Sequence, residues 1–366
     1  MTGGTGGVTP DFWAGRRVLV TGHTGFKGAW AVHWLMAMRA EVSGLALAPE
    51  TSPSLFGLAG LAGQMRSVTA DITDVAALDR LMAEARPEVV LHMAAQALVR
   101  RSYLDPIGTF QTNVTGTVAL LHAVTRCPDV RAVVVVTSDK AYENSEWSWG
   151  YRESDPVGGR DPYSASKGAA EIATAAMRRS YFRPWAAGGH PARIATARAG
   201  NVIGGGDWAE DRLIPDIVRD CLGPGGAVTL RAPRAVRPWQ HVLEPLRGYL
   251  MLAEALCAET GDAASAWNFG PDRQDERPVI EVAEAVVSAL GTGRIDQAPE
   301  PPTLHEAHLL TLDNSKARSG LGWRPALSFA QTVELTAAWY RDWARGGDAH
   351  GLTLGQIAAY RRLTET

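Results

Sequence analysis

Short apolar runs alternate with stretches in which apolar residues recur every three to four positions, and this persists over the first 200 residues. Arg17–Thr21 (RVLVT) reads as a strand, followed by a Gly-punctuated turn over Gly22–Gly28. The spacing of Trp30, Val32, Trp34, Leu35 and Met36 predicts a helix over Ala29–Ala40. Strands are expected at Val42–Leu47, Ser67–Ala70 and Val89–Met93, and a helix at Val75–Ala85 with Asp74 as its N-cap. Longer helices are expected over Pro106–Arg126 and Tyr163–Tyr181. Between them Ala132–Thr137 (AVVVVT) is a continuous, largely β-branched run, the mark of a strand covered on both faces of a parallel sheet. Arg193–Ala197 supplies a sixth strand. The alternation predicts an α/β fold with a doubly wound parallel Rossmann sheet.

Beyond residue 200 the texture changes. Gly, Pro and Trp crowd together (GNVIGGGDW, CLGPGG, RAPRAVRPWQ), with helical stretches near 242–259 and 278–290. This predicts a smaller mixed α/β lobe beside the carboxyl edge of the sheet. The expected division is a flexible tail over 1–12, a dinucleotide-binding domain with the catalytic residues over 13–200, and a substrate lobe over 201–366. The boundary is soft, and the chain is free to cross between lobes. The opening MTGGTGGVTP is Gly-rich, but no strand precedes it, so it reads as a tail rather than a phosphate loop.

Composition narrows the classes. With 46% hydrophobic and 20% charged residues among 366, the chain has the balance of a folded globular protein, which excludes a disordered one. A net charge of -3 implies no basic surface for nucleic acid. The apolar run Ala132–Val136 is too short to span a bilayer, and Met1–Pro10 lacks a basic-then-apolar signal pattern, so a cytoplasmic protein is expected. Cys127, Cys221 and Cys257 are scattered and odd in number, which argues for reducing surroundings without a disulfide framework or zinc site. Of 36 basic residues only Lys27, Lys140, Lys167 and Lys316 are lysines. An ammonium can lose its proton where a guanidinium cannot, so these positions invite attention.

Three motifs carry chemistry. Gly22-His23-Thr24-Gly25-Phe26-Lys27-Gly28 joins a strand to a helix. Its Gly-x-x-Gly-x-x-Gly spacing allows a tight turn and close approach of a pyrophosphate to the helix N-terminus. Asp71 ends the third strand, where a carboxylate can meet an adenine amino group or cap the next turn; Glu50 is a weaker candidate for a ribose. Tyr163-Ser164-Ala165-Ser166-Lys167 places phenol and ammonium at i and i+4 on one helix face, where the lysine favours a phenolate able to act as a base. Thr137-Ser138-Asp139-Lys140 ends the most apolar strand, and strand ends of this kind face the ligand crevice. Ser138 can bond a substrate hydroxyl beside Tyr163, with Asp139 and Lys140 as an adjoining acid–base pair. His305-Glu306-Ala307-His308 lacks a third ligand and reads as a loop, with no metal expected.

Together with Met93-Ala94-Ala95-Gln96, Asn113 and several longer stretches, these motifs resemble the extended short-chain dehydrogenase/reductase family and, within it, the NAD-dependent epimerases and dehydratases of sugar nucleotides. The stretches include LVRRSYLDPIGTFQTNVTGT (98–117), TSDKAYEN (137–144), GGRDPYSASKG (158–168) and ARAGNVIGGGDWAEDRLIPDIVRD (197–220). The resemblance implies cofactor contacts at Gly22, His23, Thr24, Gly25, Phe26, Lys27, Gly28, Asp71, Ile72, Ala94, Ala95, Gln96, Asn113, Thr137, Tyr163 and Lys167. The cofactor would be NAD, with NADP left open. It implies a hydride-transfer triad of Ser138, Tyr163 and Lys167, and substrate contacts at Arg101, Ser138, Asn201, Arg212, Leu213 and Arg237. Dehydratases of this family usually carry Asp-Glu after the triad hydroxyl; one branch carries Asp-Lys, as Asp139-Lys140 does here. The expected activity is internal-redox dehydration of a sugar nucleotide, with 4-epimerisation as the alternative. The family's equivalents of helices 106–126 and 163–181 pair between subunits, so a homodimer is implied.

Overall fold

Seven parallel strands build the central sheet of this computed structural model, which describes residues 7–183, 188–223, 226–230, 232–259, 262–297 and 308–364. Six of them are β1 (Arg17–Thr21), β2 (Glu41–Ala46), β3 (Arg66–Thr69), β4 (Val89–His92), β5 (Ala132–Val136) and β6 (Arg193–Ala199). The seventh, Ala266–Phe269, lies outside β6, giving the order Ala266–Phe269, β6, β5, β4, β1, β2, β3. All five residues of β5 are buried, as its β-branched run predicts. Alternation along the strands divides the interior into two layers. Leu19, Val90, Val133 and Val135 face the helices Val75–Ala85, Gly116–Val124 and Pro162–Ser180, while Val18, Val20, Val89, Leu91 and Val134 face the other side.

The second half of the chain does more than cap the sheet edge. The helix Leu243–Cys257 buries twelve of its residues and packs against β5 and β6, then hands the chain to Ala266–Phe269 inside the sheet. A helix apolar on most of its circumference needs cover on several sides, and the sheet supplies one of them. Smaller pairings lie beyond the carboxyl ends of the strands. Val202–Ile203 meets Gln240–His241, Val236–Arg237 meets Arg277–Pro278, and Ala227–Leu230 meets Arg294–Gln297.

Two local expectations change. The tail reading of residues 1–12 does not describe Val8–Phe12. Val8 is buried, Pro10–Trp13 forms a helical turn, and Thr9 N and Trp13 Nε1 both donate to Glu254 Oε1, at 2.9 and 2.7 Å. Burial of the Trp13 ring anchors the segment; residues 1–6 lie outside the described residues. The single helix expected over Pro106–Arg126 is three pieces, Pro106–Phe110, a π turn Gln111–Thr115 and Gly116–Val124, preceded by a short helix Val99–Leu104. The π turn carries Asn113, whose side-chain bonds tie it to its neighbours.

The C-terminal helix Ala349–Thr364 is fastened by one buried carboxylate. Glu244 accepts from Ala326 N and Leu327 N at 2.8 and 2.7 Å and from Tyr360 Oη at 2.7 Å, with the Arg247 guanidinium 3.8 Å away. Replacing Glu244 by Ala strands these donors and removes the carboxylate facing the buried Arg247, so we expect a loss of about 3–5 kcal/mol. Urea unfolding measures it; a loss under about 1 kcal/mol contradicts this role.

Candidate active site

The carboxyl ends of β1, β4, β5 and β6 open into a cleft of about 690 Å³. At one end Thr21 leads into the glycine loop. Gly22 has φ +74, and a Cβ there would lie 2.7 Å from Ala94 N; a Cβ on Gly28 would lie 2.1 Å from Gly22 O. Both positions therefore need glycine. The helix Phe26–Ala37 begins within the loop, so its positive end adjoins a cleft lined by Gly22, Thr24, Gly25, Phe26, Lys27 and Gly28. This cradle fits a dinucleotide's pyrophosphate. Asp71, Ile72, Ala94 and Ala95 also line the cleft. Asp71 Oδ1 accepts from Thr73 N and Oγ1 at 2.8 and 2.6 Å, so the turn-capping reading describes that oxygen.

A buried relay fixes the floor. Thr21 Oγ1 bonds His92 Nδ1 at 2.7 Å, and His92 Nε2 bonds Thr117 Oγ1 at 3.0 Å; burial pushes the His92 imidazole down to about 3, so it stays neutral. From the π turn, Asn113 Oδ1 accepts from Gln96 N at 2.9 Å and its Nδ2 donates to Ser166 Oγ at 2.8 Å. Ser166 in turn donates to Tyr163 O at 2.7 Å. The π turn thus sets the start of helix Pro162–Ser180, where Tyr163 and Lys167 sit.

Ser138, Asp139, Lys140, Tyr163 and Lys167 all line the cleft, with Thr137, Asn201, Arg212, Leu213 and Arg237. Ser138 Oγ donates to Asp139 Oδ1 at 3.0 Å and also bonds the Tyr163 phenol. Lys140 N donates to Asp139 Oδ1 at 2.9 Å. Burial holds the Asp139 carboxyl above the usual carboxylate range, against the pull of Lys140, Ser138 and Arg237. Arg212 Nη1 pairs with Asp207 Oδ2 at 2.9 Å, and Arg237 Nη1 donates to Val236 O at 2.9 Å.

The charge state differs from the sequence expectation. Burial pushes the Tyr163 phenol up to about 12 despite the Ser138 bond. It pushes Lys167 down to about 7, with Lys27 adding to the fall and Glu171 opposing it. Lys167 Nζ donates to Val136 O at 3.4 Å. In the protein alone, taking both groups out of water penalises each one's charged form, so the lysine does not draw out a phenolate.

Four expected contacts lie off the cleft lining. The His23 ring is fully buried, bonds Ser67 Oγ at 2.7 Å through Nε2 and packs edge-on against Phe56. Gln96 and Asn113 hold each other behind the lining. Arg101 is drawn to Glu50, at 2.8 Å, both largely exposed. Residues 305–307 of the His-Glu-Ala-His stretch lie outside the described residues. Among the described residues no group of three His, Cys, Asp or Glu could hold a metal. Sequence reading missed Asp207, which orients Arg212, and Glu171, which takes Thr137 Oγ1 at 2.5 Å and Arg198 Nε at 2.9 Å. Glu171's place four residues after Lys167, on the same helix face, is a signal that could have found it.

Comparison with known proteins gives the following. Residues 19–336 match the family model described as GDP-mannose 4,6 dehydratase. The CDP-glucose 4,6-dehydratase of Salmonella typhimurium (strain LT2) is 47% identical over 360 residues, covering 98% of this chain and 99% of that one. Among solved structures, a double mutant of the dTDP-glucose 4,6-dehydratase DesIV from Streptomyces venezuelae, with NAD and DAU bound, superposes with TM-score 0.76 at 27% identity, over 90% of this chain and 98% of that one. The UDP-glucose 4-epimerase of Thermus thermophilus in complex with NAD superposes with TM-score 0.74 at 28% identity, over 89% of this chain and 99% of that one.

With only four lysines, selective isotopic labelling of lysine resolves each titration. Lys167 and Lys27 are expected to titrate near 7 and 8 in the cofactor-free protein. Between those values and 10.5 the folded chain binds fewer protons on these lysines than the unfolded chain. Their contribution to stability therefore grows as pH rises through that window. Four titrations all above about 10 contradict this burial of charge.

Proposed function

Because the chain belongs to the family described as GDP-mannose 4,6 dehydratase, whose members work on sugar nucleotides, we propose that it is an NAD-dependent hydro-lyase converting CDP-D-glucose into CDP-4-dehydro-6-deoxy-D-glucose. The observation that carries the reading is a buried Asp139, whose carboxyl burial holds above the usual carboxylate range, with Lys140 beside it, in the same cleft as Ser138, Tyr163 and Lys167. A 4-epimerase needs the last three but has no use for an acid–base couple at the neighbouring carbons.

The glycine loop, Asp71, Ile72, Ala94, Ala95 and Thr137 are assigned to the cofactor. When bound, NAD supplies the acceptor of a hydride from the sugar's C4 and its later donor to C6. The positive charge that NAD would bring to the cleft favours the Tyr163 phenolate, which takes the proton of the 4-hydroxyl; Ser138 bonds the same oxygen, and Lys167 lies one turn along. The resulting 4-ketone acidifies C5–H, and Lys140 is assigned as the base that removes it. Asp139 gives its proton to the C6 hydroxyl, which leaves as water. C5 then regains a proton, so two protons are taken and two returned, and no net redox occurs. Arg212, with Asn201, Leu213 and Arg237, is assigned to the nucleotide diphosphate, for which a guanidinium offers paired donors.

A homodimer in the cytoplasm completes the proposal. Leu104, Ile107 and Ile172 are 88%, 71% and 61% exposed on the helices Val99–Leu104, Pro106–Phe110 and Pro162–Ser180, an apolar face suited to a second copy. Three free cysteines fit reducing surroundings, and among the described residues no helix is long and apolar enough to cross a membrane. An Ile107→Glu, Ile172→Glu variant is expected to run as a monomer in light scattering; an unchanged mass counts against this face.

A panel of CDP-, dTDP-, GDP- and UDP-glucose with added NAD tests the activity through the alkaline absorbance of a 4-keto sugar. CDP-glucose is expected to lead; no keto product from any member overturns the reading. On the preferred substrate, Lys140→Arg keeps the charge but not the base, and turnover is expected to fall about 100-fold or more. Turnover like that of the parent removes Lys140 from the base role.

A further inference from the structure

Tyr163, Lys167 and Glu171 lie one turn apart along a single stripe of the helix Pro162–Ser180. Each is bonded to one of three consecutive residues where β5 ends. The Tyr163 phenol bonds Ser138 Oγ, Lys167 Nζ donates to Val136 O at 3.4 Å, and Glu171 Oε1 accepts from Thr137 Oγ1 at 2.5 Å. Tyr163 and Lys167 face the cleft; Glu171 stands behind its lining, 6% exposed. The Glu171 carboxylate is also tied to β6. Oε1 takes Arg198 Nε at 2.9 Å, while Oε2 takes Arg198 Nη2 at 3.0 Å and Thr196 Oγ1 at 2.6 Å. Burial alone would raise this carboxyl, but Arg198 and the two threonines outweigh it and hold it below the usual carboxylate range.

A buried ion pair adds little stability over apolar residues of the same size, so stability does not account for this one. Alignment does. Of the three rungs between helix and strand end, the Tyr163–Ser138 bond must open to admit a substrate hydroxyl, and the Lys167 bond is long. The Glu171 rung is short, buried and free of any part in the chemistry, so it persists while the others exchange partners. Charge is the second consequence. The groups that face Lys167 are Lys27 on the glycine loop, His92 on β4, which burial keeps neutral, and Tyr163 and Glu171 on its own helix. Of these, Lys27 opposes the ammonium and Glu171 supports it.

We propose that Glu171 is a positioning residue that pins the catalytic helix to the ends of β5 and β6 and gives Lys167 a fixed negative charge one turn away. The inference rests on the reading of Tyr163 and Lys167 as the hydride-transfer pair. It adds no chemical step. Arg198 and the threonines hold the carboxylate in place, so neither its charge nor its position changes as ligands come and go. Ser138, placed directly after Thr137, is thereby kept in register with Tyr163.

Two variants separate charge from position. Glu171→Gln combined with Arg198→Met removes both buried charges and leaves neither alone, so the protein is expected to fold. Glu171→Asp keeps the charge on a shorter stem that no longer reaches Thr137. Lysine-labelled, cofactor-free protein is titrated first. Lys167, near 7 in the parent, is expected about one pH unit lower in the double variant and within about half a unit of the parent in Glu171→Asp. Turnover of CDP-glucose with NAD is measured next. In both variants kcat is expected to fall about tenfold or more, with KM for either ligand within about twofold. A double variant whose Lys167 titrates as in the parent overturns the inference. So does a Glu171→Asp variant that lowers Lys167 as far as the double variant does, or that turns over like the parent. A parent that forms no 4-keto product overturns the proposed function instead, and the titrations still decide the charge of Lys167.

Discussion

At the carboxyl ends of the parallel strands, ionisable side chains share a crevice with little access to water. Lys27, Lys167, Asp139, Tyr163 and Arg212 feel one another there, and for each the largest influence is burial. A charge taken out of water is costly unless it is paired, so groups of this kind tend to shed their charge. That constraint gives the site its chemistry. It strengthens a carboxyl's hold on its proton and lets an ammonium lose one near neutral pH. It also explains the scaffold's demands. The parallel sheet brings strand ends together, glycines at 22, 28 and 200 admit atoms where a Cβ would intrude, and the π turn at 111–115 locks the catalytic helix in register.

Arginines hold the outer parts of the same crevice. Arg212 is neutralised by Asp207, itself placed by Tyr340. Arg198 and Glu171 form a closed pair below Lys167, with Thr137 and Thr196 filling the remaining carboxylate sites. These two permanent cations are therefore matched by fixed anions, while burial leaves Lys27 and Lys167 able to change charge near neutral pH. The scarcity of lysine in the chain acquires a physical meaning from this division.

Much of this was legible in the chain itself. β1, β4 and β5 announce themselves because a strand covered on both faces is an unbroken apolar run, and the glycine loop and the Tyr163/Lys167 spacing follow from backbone and helix geometry. What the sequence hides is of three kinds. Ala266–Phe269 is four residues without a pattern, and only its pairing with β6 makes it a strand. The π turn is invisible because apolar spacing continues through Gln111–Thr115 on either side. The upward shift of the Tyr163 phenol in the protein alone is hidden because the sequence gives the neighbour but not the burial. The same holds for His23 and Arg101, whose partners Ser67 and Glu50 lie 44 and 51 positions away.

The central claim is that one bound cofactor lends a hydride to a sugar and takes none away. CDP-glucose carrying deuterium at C4, mixed with unlabelled substrate and turned over with NAD, tests it. The account predicts deuterium at C6 of the product derived from the same sugar molecule, with no stoichiometric rise of reduced cofactor. Deuterium lost to water, passed between molecules, or left on released NADH contradicts it.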